Sequence, residues 1–248
     1  MPHPEAPILI RILLAVHILA GTVALFAAPV ALAVLKGGRT HRRFGRIYVF
    51  AMGVVATTAL ILAPFFQSWF LLFIAVFSFY LAFSGRRVLR LKRGVDRPAA
   101  IDWIAASLSV LAGVGLALLA YLQHEQFGTF TIVLSVFALI AIVSGARSIR
   151  RYLAPPAAPG AWKLDHLQLM IGAYIATVTA FSVVNFTFLH PVIIRWLWPA
   201  AVGILAIPFL RRRYAQGKTV IAEPAPQPDA ADASPSLTLR EVGEKRLS

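Results

Sequence analysis

The chain has 248 residues, of which 59% are apolar and 14% charged, and its mean hydropathy is +0.76. A soluble domain of this length cannot bury so many apolar side chains, so the composition excludes an ordinary soluble protein and predicts a membrane protein. The absence of cysteine excludes disulfides, cysteine-ligated zinc, iron–sulfur clusters and covalently attached c-type haem, but it allows histidine-ligated haem or metal.

The order of apolar segments predicts seven membrane-spanning helices. The first apolar segment runs on for more than twenty residues, too long for a signal-peptide core, so we expect a retained first helix. Nothing in the chain shows the alternating pattern of an outer-membrane barrel. We therefore predict an all-α transmembrane bundle within a domain of residues 1–213, with its spans at 8–35, 47–66, 68–86, 101–122, 127–147, 165–186 and 190–210.

Lysine and arginine predict how these spans are oriented. The formal net charge of +14 does not indicate nucleic acid binding, because the basic residues lie in short runs between the apolar segments. The first, third and fifth connections carry five, six and four of them, whereas the second, fourth and sixth carry none. Basic connections stay on the cytoplasmic side, so we expect the N-terminus outside and the C-terminus inside.

Residues 214–248 form a second predicted region. From about Gly217 the sequence becomes rich in proline, alanine and aspartate and loses its periodic apolar residues. Such a composition predicts a disordered cytoplasmic tail, which suits docking to a protein partner.

Ionisable side chains inside a bilayer are costly, so each one raises a functional question. An inner group (His41, Asp102, Asp165 and His166) lies at or near the predicted cytoplasmic starts of the second, fourth and sixth spans. Two imidazoles and two carboxylates at one depth can bind a metal, ligate haem or relay protons. The alternative is helix capping and pairing with the nearby basic residues.

A short repeat accompanies the two aspartates. The segment 84–90 (SGRRVLR) resembles 144–150 (SGARSIR), and each copy closes a span on the inner side before an aspartate opens the next span. Favourable helix-dipole interactions alone explain basic helix ends and acidic helix starts, and a duplicated hairpin is the other explanation.

His17 is the deepest of the predicted intramembrane histidines. It lies about nine residues, or about 14 Å, below the outer end of the first span. Either its imidazole forms a hydrogen bond across the bundle or it lines a ligand cavity. Other polar residues lie at related depths, namely Ser78, Ser135, Thr177, Thr179 and Ser182.

An outer group of polar residues includes two arginines that break the inside bias of the other bases. The two arginines can extend to lipid phosphates, or they can face inward and hold an anion such as a propionate, a quinone oxygen or a substrate carboxylate. For such a cavity or anion site we select Arg11, Arg195, Asn185 and Ser182; the outer group also contains His124, Glu125 and His190.

Several activities are excluded by missing motifs. The last span has no lysine for a retinal Schiff base. The chain also lacks a Walker loop, a His-Glu-x-x-His motif and a Gly-x-Ser-x-Gly elbow, so no hydrolase nucleophile is visible.

Two separated motifs resemble the predicted bacterial membrane proteins grouped as domain of unknown function 2306 (DUF2306). The first motif is His17-x3-Gly21-x2-Ala24-Leu25 followed by His41-Arg42-x2-Gly45-Arg46-x-Tyr48. The second is His166-x3-Met170-Ile171-x2-Tyr174-x2-Thr177-x2-Ala180, which lacks the arginines and the tryptophan typical of that family. The resemblance implies a multi-pass protein of the bacterial inner membrane, without an established activity, and selects His17, His41 and His166.

Three functional hypotheses remain. In the first, the chain is a cytochrome b-like redox protein, with haem b or quinone held among the helices through His41 and His166. In the second, it is a transporter or channel for a small or lipid-like molecule, with His17 in its path. In the third, it is a non-enzymatic membrane scaffold or assembly factor whose polar residues are structural. An enzyme acting on lipid is a fourth, minor possibility.

Overall fold

The computed structural model describes residues 6–90, 98–153 and 160–216, and these ranges contain helices and no strand. The helices are α1 (Ile8–Ala33), α2 (Arg39–Phe65), α3 (Trp69–Arg87), α4 (Ala100–Leu122), the single turn α5 (His124–Phe127), α6 (Thr131–Leu153), α7 (Ala161–Asn185) and α8 (Val192–Gln216).

The predicted helical membrane bundle is confirmed at the level of fold class. Six of the described helical segments are long and apolar enough to cross a membrane, if α5 and α6 are taken together as one segment, His124–Leu153. The apolar part of α8, Val192–Pro208, is shorter. Large apolar side chains such as Leu35 and Phe50 are more than 75% exposed, which is the surface expected of a protein that faces lipid. Seven spans and their orientation stay predictions.

The second helix begins earlier than the hydropathy pattern predicts, at Arg39 instead of residue 47. Half of residues 39–46 in the expected basic turn are arginines, which are good helix formers, so they extend the helix beyond its apolar part. The connection from α1 to α2 is confined to residues 34–38, where Gly37 adopts a φ of +78°, which favours glycine. His41 therefore lies in the first turn of α2 rather than in a loop.

Four helices surround a common interior. α1 packs against α2, α2 against α3 and α3 against α7, while α7 also contacts α1 and closes the ring. We call α1, α2, α3 and α7 the four-helix group. Outside it, α4 packs against both α3 and α6, and α8 packs against α7.

The contact between α4 and α6 depends on two glycines. A Cβ atom at Gly113 would lie 2.8 Å from the Ala138 carbonyl oxygen, and one at Gly145 would lie 2.7 Å from the Ala106 carbonyl oxygen. Between them, the hydroxyl of Ser109 donates a hydrogen bond to the Ala141 carbonyl at 3.0 Å. Small residues and polar links of this kind hold helices together where lipid offers no hydrophobic driving force.

The predicted tail lies almost wholly outside the described residues. Only its first three positions, 214–216, are described, and there the backbone continues α8.

The glycine contact predicts that Gly113→Ala destabilises the protein by about 1–3 kcal/mol, since a methyl group would meet backbone atoms that cannot move aside. The matched control is Gly21→Ala, because a Cβ atom at Gly21 would meet nothing within 4 Å. Denaturation in detergent micelles would measure both variants. Equal stability of the two would show that α4 and α6 do not approach as closely as described here.

Candidate functional site

His41 links the first turn of α2 to the end of α1. Its Nδ1–H donates a hydrogen bond to the Ala31 carbonyl at 2.9 Å. Ala31 is in the last turn of α1, where carbonyls have no donor within their own helix. The Lys36 ammonium also donates to the carbonyls of Ala31 and Leu32, and partial burial lowers the pKa of Lys36 below its ordinary value. The end of α1 is thus capped by two side chains that follow it in the chain.

His166 makes the corresponding link between α7 and α3. Its Nδ1–H donates to the Gly85 carbonyl at 2.7 Å, in the last turn of α3. The approach is close because residue 85 is glycine: a Cβ atom there would lie 2.8 Å from the Met170 sulfur and 3.2 Å from Leu169 Cβ. Gly85 therefore sets the distance at which the imidazole meets the carbonyl.

The two imidazoles, 125 positions apart in the sequence, lie side by side at the same end of the four-helix group. Their ring centres are 6.3 Å apart and their planes are inclined by 75°. Because a carbonyl can only accept, both Nδ1 atoms carry a proton, and in the neutral imidazole the lone pair is then on Nε2. In the described part of the chain no hydrogen bond to either Nε2 is found. We call His41 and His166 the histidine pair.

The ring centres of the histidine pair are 6.3 Å apart, and a bond from a metal to a histidine nitrogen is about 2 Å long. The two imidazoles are therefore close enough to hold one metal atom between them. No group of three or more metal-ligating side chains occurs among the described residues. Two protein ligands suffice for haem iron, to which the porphyrin supplies the rest.

Each of the two aspartates of the inner group forms an ion pair with an arginine, and no hydrogen bond joins either one to the histidine pair among the described residues. Asp102 binds Arg87 through both carboxylate oxygens, at 2.6 and 2.7 Å, and accepts a third hydrogen bond from the Ala99 amide. Asp165 lies 2.6 Å from Arg151. The side chain of Asp102 is 3% exposed and that of Asp165 is 31% exposed, so the first pair is buried and the second is partly open.

His17 forms a hydrogen bond between α1 and α2. His17 Nδ1 and the Thr58 hydroxyl are 2.9 Å apart, and the same hydroxyl is also within hydrogen-bonding distance of the Val54 and Val55 carbonyls. This is the interhelical hydrogen bond that the sequence offered as one of two alternatives.

A second polar contact occupies the interior of the four-helix group. The Tyr48 hydroxyl of α2, 1% exposed, lies 3.1 Å from the Thr177 hydroxyl of α7. Thr177 also contacts the Met52 sulfur at 3.5 Å and the carbonyl of Ala173 at 3.1 Å. Each polar atom named here has a protein partner.

The selected outer residues do not form one site. Arg195 donates to the carbonyls of Leu189 and Thr187, at 2.8 and 2.6 Å, and so holds the connection before α8. The side-chain amide of Asn185 donates to the Phe181 carbonyl of its own helix. Arg11 is exposed on α1. No hydrogen bond joins these three side chains to one another within the described residues.

Ser182, the fourth residue selected for an anion site, is fully buried and accepts a hydrogen bond from the Trp198 indole N–H at 2.7 Å. This contact joins α7 to α8. Of the other outer residues, His124 donates to the Tyr121 carbonyl in the last turn of α4 and is exposed.

Sequence reasoning missed the groups that orient the histidines. The Ala31 carbonyl carries no sequence signal, because any residue supplies the same acceptor. Gly85 does carry one, as the glycine of the Ser-Gly repeat, but its role as a contact to α7 is visible only in the structure. Tyr80 was also missed: its hydroxyl donates to the Ser144 carbonyl and the Ser148 hydroxyl, and so links α3 to α6.

We compared the chain with protein-family models, with curated proteins and with solved structures, and none of the three comparisons found a match. The six long apolar helices define the class as a multi-pass helical membrane protein, and the resemblance to DUF2306 stays a prediction.

The two ion pairs predict different costs for the same substitution. Asp102→Asn leaves Arg87 without its buried carboxylate and should cost about 3–5 kcal/mol. Asp165→Asn removes a pair that is open to solvent and should cost about 1 kcal/mol or less. Unfolding of the purified variants in detergent would compare them. If Asp165→Asn were as damaging as Asp102→Asn, burial would not be what distinguishes the pairs.

Proposed function

We propose that this chain is a redox-type membrane protein that holds one haem b between His41 and His166. The observation that carries the proposal is the histidine pair, with ring centres 6.3 Å apart and both Nδ1 atoms bound to carbonyls. The chain has no cysteine, so any haem would be held without covalent thioether links.

The chain's own residues would prepare the iron ligands. A hydrogen bond from Nδ1–H to a carbonyl fixes the tautomer, orients the ring and increases the basicity of the opposite nitrogen, as in ligand shells of known metal sites. Ala31 and Gly85 make these bonds from helix ends, where the acceptors are part of the backbone. Arg86 and Lys163, neighbours of Gly85 and His166 in the sequence, add positive charge suited to propionates. Bound haem supplies reversible one-electron chemistry.

The proposal includes the topology. We propose seven spans, with α8 as the seventh, the N-terminus outside and the C-terminus inside. The stretch Val192–Pro208 is 17 residues long, at the short end of the range that can span a bilayer. With this orientation the histidine pair lies near the cytoplasmic face, next to the basic connections. The resemblance to DUF2306 supports the inner membrane of a bacterium as the location.

Haem binding predicts a spectrum. Purified protein, reconstituted with haem in detergent, should show a Soret band that shifts on reduction, together with a low-spin signal in electron paramagnetic resonance. His41→Gly and His166→Gly should each lose the low-spin signal, and free imidazole should restore it by replacing the missing ligand. The matched control is His124→Gly, which removes an exposed histidine with a similar carbonyl contact but no second imidazole.

Protein that takes up no haem, or histidine-pair variants with the wild-type spectrum, would overturn the proposal. The transporter and scaffold hypotheses would then be the remaining interpretations. Transport requires a polar path, whereas the hydroxyls of Thr58 and Thr177 are bonded within the bundle.

The topology predicts which positions an impermeant reagent can reach. Because the chain has no cysteine, single cysteines can be introduced without a background. In intact cells, Gln123→Cys should react with a membrane-impermeant maleimide, whereas Arg39→Cys should react only after the membrane is opened. Labelling of Arg39→Cys in intact cells would contradict the proposed orientation. It would leave the proposal of haem binding untouched.

A further inference from the structure

Two grooves border the outward side of α2, and Phe50 forms part of both. The first groove, about 520 Å³, lies between α1 and α2 and is lined by Val23, Ile47, Phe50 and Ala51 as well as two arginines. The second, about 550 Å³, runs along α2 from Val49 to Leu60 and is bounded by Phe79 of α3. Phe50 is 76% exposed, so it stands as a ridge between them.

The walls of the second groove are apolar even where threonines line it. The Thr57 hydroxyl donates to the Gly53 carbonyl at 2.9 Å, and Thr58 donates to Val54 at 2.8 Å. Both hydroxyl protons are therefore used within the helix. Gly53 lines the groove without a side chain, and a Cβ atom there would lie 3.7 Å from the ring of Phe79. A groove of this kind, about 16 Å long over twelve helical residues, suits a hydrocarbon chain.

The first groove ends at positive charge. Arg43 and Arg46 line it one to two turns before Phe50, and both are exposed. Neither takes part in an ion pair among the described residues, where Asp102 and Asp165 are paired with Arg87 and Arg151. An arginine pair at the end of an apolar groove is complementary to a phosphodiester joined to acyl chains.

We propose that this surface binds one anionic diacyl phospholipid. Its phosphate contacts Arg43 and Arg46, one acyl chain lies in the groove toward α1, and the other lies beyond Phe50 in the groove toward α3. The apolar walls give a free phosphate ion little to bind, whereas a lipid satisfies both parts of the surface. The site is separate from the histidine pair and does not depend on haem.

Native mass spectrometry of delipidated protein would test the site, with phosphatidylglycerol as the anionic lipid and phosphatidylcholine of the same chains as the zwitterionic one. Phosphatidylglycerol should bind at least about tenfold more tightly. Arg43→Gln with Arg46→Gln should weaken its binding by roughly 20- to 30-fold, at about fivefold or slightly more for each arginine near a lipid surface. The matched control is Arg39→Gln with Arg42→Gln, which removes two exposed arginines from the same stretch that do not line the groove.

The two-groove arrangement has its own test. Gly53→Leu fills the groove toward α3, so it should weaken diacyl phosphatidylglycerol binding several-fold and leave the one-chain lysophosphatidylglycerol unchanged. Equal binding of both headgroups, or an equal loss in the control pair of arginines, would overturn the site in favour of general charge attraction. Unchanged diacyl binding by Gly53→Leu would overturn the assignment of the second chain.

Discussion

Two hydrogen bonds from imidazole rings to backbone carbonyls organise one end of the four-helix group. His41 joins α2 to the last turn of α1, and His166 joins α7 to the last turn of α3. Carbonyls in these turns lack a donor within their own helix, and in an apolar surrounding an unmet carbonyl is costly. Since the same bonds determine the tautomers of both rings, the helix contacts and the two Nε2 lone pairs cannot be changed independently. The proposed haem site is therefore part of the helix packing.

The repeated segments 84–90 and 144–150 also have a role in helix packing, through their glycines Gly85 and Gly145. Gly145 lets α6 approach α4 at Ala106, four residues after Asp102, and Gly85 lets α3 approach α7 at Leu169, four residues after Asp165. The glycine of each copy thus packs against the helix that follows the other copy and begins near an aspartate: Gly145 against α4, and Gly85 against α7. Such a reciprocal pair of contacts is what a duplicated hairpin would produce.

The two copies differ at the residue that follows each aspartate. After Asp102 comes Trp103, whose ring lies 5.2 Å from that of Tyr152, and after Asp165 comes His166. Only the second copy therefore places an imidazole beside His41. If the two copies share an origin, the histidine that completes the pair is present in only one of them.

The fold class and the common depth of the two histidines could be predicted from the sequence, because hydropathy acts residue by residue. The contact between His41 and His166 could only be offered as a hypothesis, since equal depth does not say which helices are neighbours. The residues selected for an outer site show the same limit of a prediction from depth. Arg195 and Asn185 are predicted at similar depths, yet each donates to a nearby backbone carbonyl and no hydrogen bond joins them among the described residues. A polar side chain can bond to a nearby backbone carbonyl instead of a distant side chain. The sequence does not show which carbonyls are within its reach.

Helix α2 combines both proposed sites, and helical spacing explains how. His41, Tyr48 and Met52 are seven and four residues apart and face the interior, where Tyr48 and Met52 both contact Thr177 of α7. Arg43, Arg46 and Phe50 recur at three and four residues and face outward. A phosphate held by the two arginines would oppose movement of α2 along the membrane normal. Because His41 is in the same turns, that force would act on the position of its imidazole against α1, and the lipid would help to keep the histidine pair in register.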